Sequence, residues 1–267
     1  MTIRGVCFDA TGTLFETRES VGAVYGRAAA AAGVKLPAWR LDDAFRRVLQ
    51  HGPGLEEAAT SAATRAEREA AERAWWQDRV RQTFQATDST VRFADPEALF
   101  TTLFDHYRHP EAWQLRPGVL PLLEHLRRDG YRLALASNFD HRLPEILEGL
   151  GLIDFFTARS IPSMSGRSKP ERGVFEALAK ALALPLEELA YVGDDAPATL
   201  AAIAAHGLRV FDVRTLPDLA VLSERLADHP ADHLAGSPIA PRAPDARAEA
   251  ANLAPSAAPP NPARAEE

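Results

Sequence analysis

Between residues 129 and 213 the chain alternates short apolar runs with patterns of helical period. Residues 131–136 (YRLALA) follow the Arg127-Arg128-Asp129-Gly130 helix stop and read as a buried strand, as do residues 189–193 (LAYVG). Between them, residues 171–183 place Val174, Phe175, Leu178 and Leu182 on one helical face. A further run, 208–213 (LRVFDV), comes after a predicted helix over 198–206 and its Gly207 stop. Strands alternating with helices at this spacing predict a parallel sheet covered by helices. Residues 3–8 have the same buried-strand character. The expected fold class is α/β, with a Rossmann-like parallel sheet as its core.

Between that first strand and residue 131 the pattern is helical. Helices are predicted over 21–32, 41–50, 64–87 and 96–107, separated by residues 33–37, His51-Gly52-Pro53-Gly54 and Asp95-Pro96. This predicts an all-helical cap over 17–110 inserted into a core formed by 1–16 and 111–228. Trp75, Trp76, Phe84, Phe100, Leu103, Phe104 and Tyr107 are expected in the core of the insertion or at its interface with the main domain. From residue 234 the sequence is rich in Ala and Pro and lacks apolar periodicity, so 229–267 is expected to be a disordered tail. The alternative for it is a Pro-rich ligand for a partner.

Composition narrows the partners. A length of 267 residues exceeds the common domain size of roughly 100–150, which agrees with a core plus an insertion. The formal charge of −7 argues against nucleic acid, whose phosphates call for a basic face. No apolar run reaches the ~18–20 residues of a membrane span. Arg4 interrupts the N-terminal apolar stretch before a secretory core could form, so a cytoplasmic location is expected. Cys7 stands alone, which excludes an intrachain disulfide and a cysteine-built zinc site. Its apolar surroundings make it a small buried hydrophobe.

The chemistry collects at strand ends. In open parallel sheets ligands bind beyond the carboxyl ends of the strands. The first strand runs into Asp9-Ala10-Thr11-Gly12-Thr13, the second into Ser137-Asn138, and a later one into Gly193-Asp194-Asp195. Lys169, one of few lysines in an arginine-rich chain, sits on the Arg167-Ser168-Lys169-Pro170 loop. Singly, each is ordinary turn or surface chemistry.

In this order, FDATGTLF, LALASN, SKPE and VGDD resemble the four motifs of the haloacid dehalogenase-like (HAD) hydrolase superfamily, over residues 3–213. A helical insertion between the first two motifs resembles the C1-capped group. SNFDHRLPEILEGLGL, HPEAWQLRPGV and the Trp75-Trp76 pair are similar to the domain-containing protein 3 branch of that superfamily. The resemblance implies that Asp9 attacks phosphorus to give an aspartyl-phosphate. It implies that Mg²⁺ is held by Asp9, the Thr11 carbonyl and Asp194, with Lys169, Ser137, Asn138 and the amides around Gly12 on the phosphoryl oxygens. Thr13 falls where a side chain supports the nucleophile loop.

Two positions depart from the pattern. Thr11 stands where the superfamily's phosphatases carry a second aspartate as acid and base, so ester hydrolysis is expected to be weak and good leaving groups favoured. The D-x-T-G-T pattern is also similar to the phosphorylation site of P-type ATPases. Thr199 replaces a second acidic residue. Asp195 either contacts a metal-bound water in compensation or caps the next helix. The expected activity is a Mg²⁺-dependent phosphatase for a small phosphorylated metabolite. The alternatives are a 2-haloacid dehalogenase and a catalytically weakened binding module. Arg18 and Arg27 could bind an anionic substrate or be exposed helix charges.

Overall fold

The computed structural model describes residues 2–60 and 62–227. The strands are β1 (Gly5–Phe8), β2 (Phe15–Thr17), β3 (Trp113–Leu115), β4 (Arg132–Ala136), β5 (Ala158–Ser160), β6 (Leu189–Gly193) and β7 (Arg209–Asp212). The helices are α1 (Val21–Ala31), α2 (Ala38–Gln50), α3 (Leu55–Thr60), α4 (Arg65–Thr87), α5 (Pro96–His106), α6 (Val119–Arg128), α7 (Leu143–Gly149), α8 (Pro162–Ser165), α9 (Arg172–Leu182), α10 (Pro197–Ala205) and α11 (Val221–Ala227). The expected tail, 229–267, lies outside the described residues.

The main sheet is parallel in the order β5-β4-β1-β6-β7. The inner strands β1, β4 and β6 are buried because helices cover both faces, and the side chains divide by the period of two. In β1, Val6 and Phe8 pack with Leu123, Leu133 and Leu135 on one face, while Cys7 packs with Phe175, Leu178 and Tyr191 on the other. After β1 the chain builds outward through β4 and β5, then crosses to β6 and β7 on the opposite side. Strand order therefore reverses beside β1, which puts a switch-point crevice at its carboxyl end.

The helical insertion is entered and left through a two-stranded antiparallel ribbon of β2 and β3, in which Glu16 faces Gln114. Helices α1 to α5 lie between those strands. Thr64 caps α4 in a reciprocal box with Glu67, which satisfies amides that the first turn leaves open. The aromatic faces of the insertion meet each other, with Tyr25 stacked on Phe84 at 5.6 Å and Phe100 beside Phe104 at 5.4 Å. Among the described residues no helix is long and apolar enough to cross a membrane.

Candidate active site

Asp9 follows the central strand, its amide still held by Val192 O at 2.8 Å, so the ladder with β6 aims the next turn at the crevice. The turn needs Gly12, whose φ is +81° and whose absent Cβ would stand 2.2 Å from Asp194 Oδ2. Thr13 is buried and donates its hydroxyl to Asp194 Oδ1 at 3.3 Å. The loop after β1 and the Asp194-Asp195 turn are thus packed directly on one another. Arg116, just after β3, donates to the Gly12 carbonyl and fixes the loop from the other side.

Lys169 is buried and reaches Asp9 Oδ1 and Asp195 Oδ1, each at 2.9 Å. It also donates to the Tyr191 hydroxyl at 2.6 Å, and that hydroxyl donates to Asp195 Oδ2 at 2.5 Å. Burial pushes the Asp9 carboxyl up to about 6, with Lys169 opposing and Asp195 adding to the rise. Burial alone would lower the Lys169 ammonium, but Asp9 and Asp195 outweigh it and leave its pKa raised. Burial, with the same two carboxylates, holds the Tyr191 phenol well above its ordinary value, so it stays a neutral donor.

Asn138 grips the lysine loop by its backbone, accepting from Lys169 N at 2.8 Å and donating to Lys169 O at 3.0 Å. Ser137 is buried, and its hydroxyl oxygen accepts from Phe139 N at 3.3 Å. Thr11 has a buried hydroxyl oxygen without a hydrogen-bond partner. All nine predicted site residues lie at the carboxyl ends of β1, β4 and β6 or on the lysine loop beside them. Asp195 does not cap α10, whose N-cap is Ala196 without a side-chain bond; its carboxylate goes to Lys169 and Tyr191. Arg18 donates to the carbonyls of Glu111 and Trp113, and Arg27 pairs with Glu19 on the surface, so both have structural partners.

Sequence reasoning missed Tyr191 and Arg116. The signal for Tyr191 was a lone hydroxyl in an otherwise aliphatic strand, where a buried phenol needs a partner. It also missed the buried polar contacts that join α4 and α5 to the loop after β4. Trp76 Nε1 donates to Asp140 Oδ2 at 2.7 Å, His141 N donates to Glu72 Oε2 at 2.9 Å, and Arg142 donates to Phe104 O at 2.8 Å. Arg142 also pairs with Asp140, through Nη2 at 2.6 Å. These contacts close the insertion over the crevice.

The result is a cavity of about 380 Å³. Its floor is polar, made by Asp9, Thr11, Ser137, Asn138, Lys169 and Asp195. Its walls are aromatic, with Tyr25, Phe45, Trp75, Trp76, Phe104 and Phe139 among them.

A haloacid dehalogenase-like hydrolase family model matches residues 3–207. The chain belongs to this family. Bovine haloacid dehalogenase-like hydrolase domain-containing protein 3 is 32% identical over 219 residues, covering 79% of this chain and 82% of that protein. Among solved structures, a dehalogenase with an intermediate complex is similar with a TM-score of 0.61 at 19% identity, covering 85% of this chain and 98% of the other. The magnesium-bound HAD-hydrolase YfnB of Bacillus subtilis is similar with a TM-score of 0.60 at 19% identity, covering 79% and 88%. At those identities the two structures speak for the fold, which is that of HAD hydrolases, and the sequence matches make this chain a HAD-like hydrolase.

Proposed function

We propose that this HAD-like hydrolase is a magnesium-dependent phosphohydrolase of a small phosphorylated molecule. One observation carries the reading: the buried Asp9 carboxylate, 2.9 Å from the Lys169 ammonium, lies on the polar floor of the cavity. A carboxylate placed there can attack phosphorus, and a fixed ammonium matches the charge of the phosphoryl oxygens.

The residues fit a divalent cation. Asp9 and Asp195 share the Lys169 ammonium, and Asp194 lies against Gly12 and Thr13 of the loop that carries Asp9, so the surplus charge is negative. The donors are oxygens only, which suits a hard ion. Among the described residues no three Asp, Glu, His or Cys side chains form a ready cage, so the ion would complete its shell with the Thr11 carbonyl and water, as Mg²⁺ commonly does. Asp9, the Thr11 carbonyl and Asp194 would hold it, with Asp195 adding negative charge beside it while its carboxylate is engaged by Lys169 and Tyr191. When bound, Mg²⁺ offsets the repulsion between carboxylate and phosphoryl oxygens.

In the first step an Asp9 oxygen forms a bond to phosphorus while the bond to the leaving oxygen breaks. Lys169, the Ser137 hydroxyl and the amides around Gly12 hold the phosphoryl oxygens, and Asn138 keeps Lys169 in place. Thr11 has no proton to give near neutral pH, so the leaving oxygen departs as its anion and takes a proton from solvent. Water then attacks phosphorus, the bond to Asp9 breaks, phosphate leaves and the carboxylate is restored.

Phosphate release from acetyl phosphate and from an aryl phosphate, with and without Mg²⁺, tests this in wild type and Asp9→Asn. Metal-dependent turnover that the substitution abolishes is the expected result. Turnover indifferent to Asp9 would overturn it. Halide release from a 2-haloacid, in place of phosphate release, would transfer the same nucleophile to dehalogenation; no turnover of either kind by folded protein would leave a binding module.

A further inference from the structure

The walls of the cavity say what the rest of the substrate is. Above the polar floor the lining is almost wholly hydrocarbon, contributed by Tyr25, Phe45, Trp76, Phe100, Phe104 and Phe139. The cation on that wall, Arg142, is already spent. Its guanidinium makes two bonds to Asp140, at 2.8 and 2.6 Å, and a third to the Phe104 carbonyl at 2.8 Å. Trp76 likewise spends its indole donor on Asp140. The Tyr107 hydroxyl is an unpartnered polar atom on this wall, so a polyol bound here would lose its water for one hydrogen bond at most from that group and a second anionic group would meet no free cation, whereas a flat apolar group would gain contact along the aromatic walls. A volume of about 380 Å³ is at the small end of ligand cavities, which run to roughly 1,000 Å³, and admits a ring system of one or two rings above the phosphoryl group.

Resting on the phosphohydrolase reading, we infer that the substrate is a phosphate monoester of a flat, apolar alcohol or phenol, and that sugar and glycerol phosphates are rejected. Within that class Thr11 favours the phenols, since a phenolate leaves without the proton that an alkoxide needs.

The test separates apolar binding from leaving-group chemistry. With the full chain and Mg²⁺, kcat/KM is compared for 3-phenylpropyl phosphate and glycerol 3-phosphate, which both expel a primary alkoxide, and for 2-naphthyl phosphate. Binding of 2-naphthol is followed separately by calorimetry in wild type and in Leu49→Glu, a change at a partly exposed residue of the cavity wall. The expected results are a preference of about 100-fold or more for 3-phenylpropyl over glycerol phosphate, competitive inhibition by 2-naphthol, and binding at least about tenfold weaker in Leu49→Glu. Turnover with no such preference overturns the inference and leaves the phosphohydrolase reading standing. If nothing is turned over but 2-naphthol binds and Leu49→Glu weakens it, the phosphohydrolase reading fails and the apolar ligand class stands. If 2-naphthol does not bind, the inference is overturned.

Discussion

Asn138 holds Lys169 by both ends of its side-chain amide, with Oδ1 taking the Lys169 amide proton at 2.8 Å and Nδ2 donating to the Lys169 carbonyl at 3.0 Å. The second residue after β4 therefore sets the backbone from which the ammonium reaches Asp9. Asn138→Ala removes both bonds and leaves two backbone groups to find other partners, a loss of about 1–3 kcal/mol. The lysine loop should loosen and kcat fall by about tenfold or more. Asn138→Asp keeps the acceptor and loses the donor, so it should fall between the two. Urea unfolding and kcat measured on the same preparations check this; an unchanged kcat in Asn138→Ala would show that the grip does not position the lysine.

Much of this arrangement was legible in the chain. The strand over 189–193 and the long helix read over 64–87 came from pattern, because a buried parallel strand is a continuous apolar run and a long helix is bounded by local breakers; the helix itself runs over Arg65–Thr87, with Thr64 as its cap. The polar floor of the cavity followed from residues at strand ends. What stayed hidden depends on distant pairing. Strands β2, β3 and β5 are three residues each, too short for any periodicity to register. Helix α3, of six residues, lies in the stretch between the Gly-Pro-Gly breaker and Thr64. Nothing in the local sequence marks Asp140 and Arg142 for burial, yet both are buried, because Trp76 and Phe104, far off in sequence, close over them.

The Asp140–Arg142 pair gives stability a dependence on acid. Burial pushes the Asp140 carboxyl up, but the Arg142 guanidinium outweighs it and holds the pKa below the ordinary carboxylate value. A depressed folded-state pKa means that the contribution is present above the unfolded value of about 3.9 and is lost as pH falls through the folded one. Unfolding free energy should therefore drop below about pH 4. Asp140→Asn should flatten that part of the curve, and at pH 7 it should cost about 3–5 kcal/mol because Arg142 is left buried without its counter-ion. Chemical denaturation across pH 3 to 7, wild type against variant, measures both. An acid limb of equal steepness in the variant would assign the effect to other carboxyls.

Cys7 predicts the alkaline side. Its thiol is fully buried in the middle of β1, and burial pushes its pKa up to about 12. In the unfolded chain it is about 8.5, so the folded state is favoured below that pH and loses the advantage as pH rises towards 12. Between about pH 8.5 and 9.5, stability should decline with a slope approaching 1.4 kcal/mol per pH unit, and Cys7→Ala should remove that slope. The same burial predicts that dithionitrobenzoate leaves native protein untouched and reacts only on unfolding. Rapid labelling of native protein would contradict the position of this thiol in the sheet.

On the proposed phosphohydrolase reading, Thr11 would set which phosphates are cleaved, and replacing it tests that directly. Its hydroxyl oxygen is buried and unpartnered beside the cavity floor, so Thr11→Asp puts a carboxyl at the rim of the reaction with no hydrogen bond to displace. Asp9 and Lys169 remain as they are, and the like charge of Asp9 raises the pKa of the new carboxyl so that it can carry a proton near neutral pH. A positioned acid is worth about 10²–10⁴ in rate when the leaving group needs a proton and little when it does not. Thr11→Asp should therefore raise kcat for 3-phenylpropyl phosphate by about 10² while changing acetyl phosphate turnover only a few-fold. Equal gains on both substrates would place the effect on binding or metal affinity, and no gain on the alkyl ester would mean that proton supply does not limit the first step.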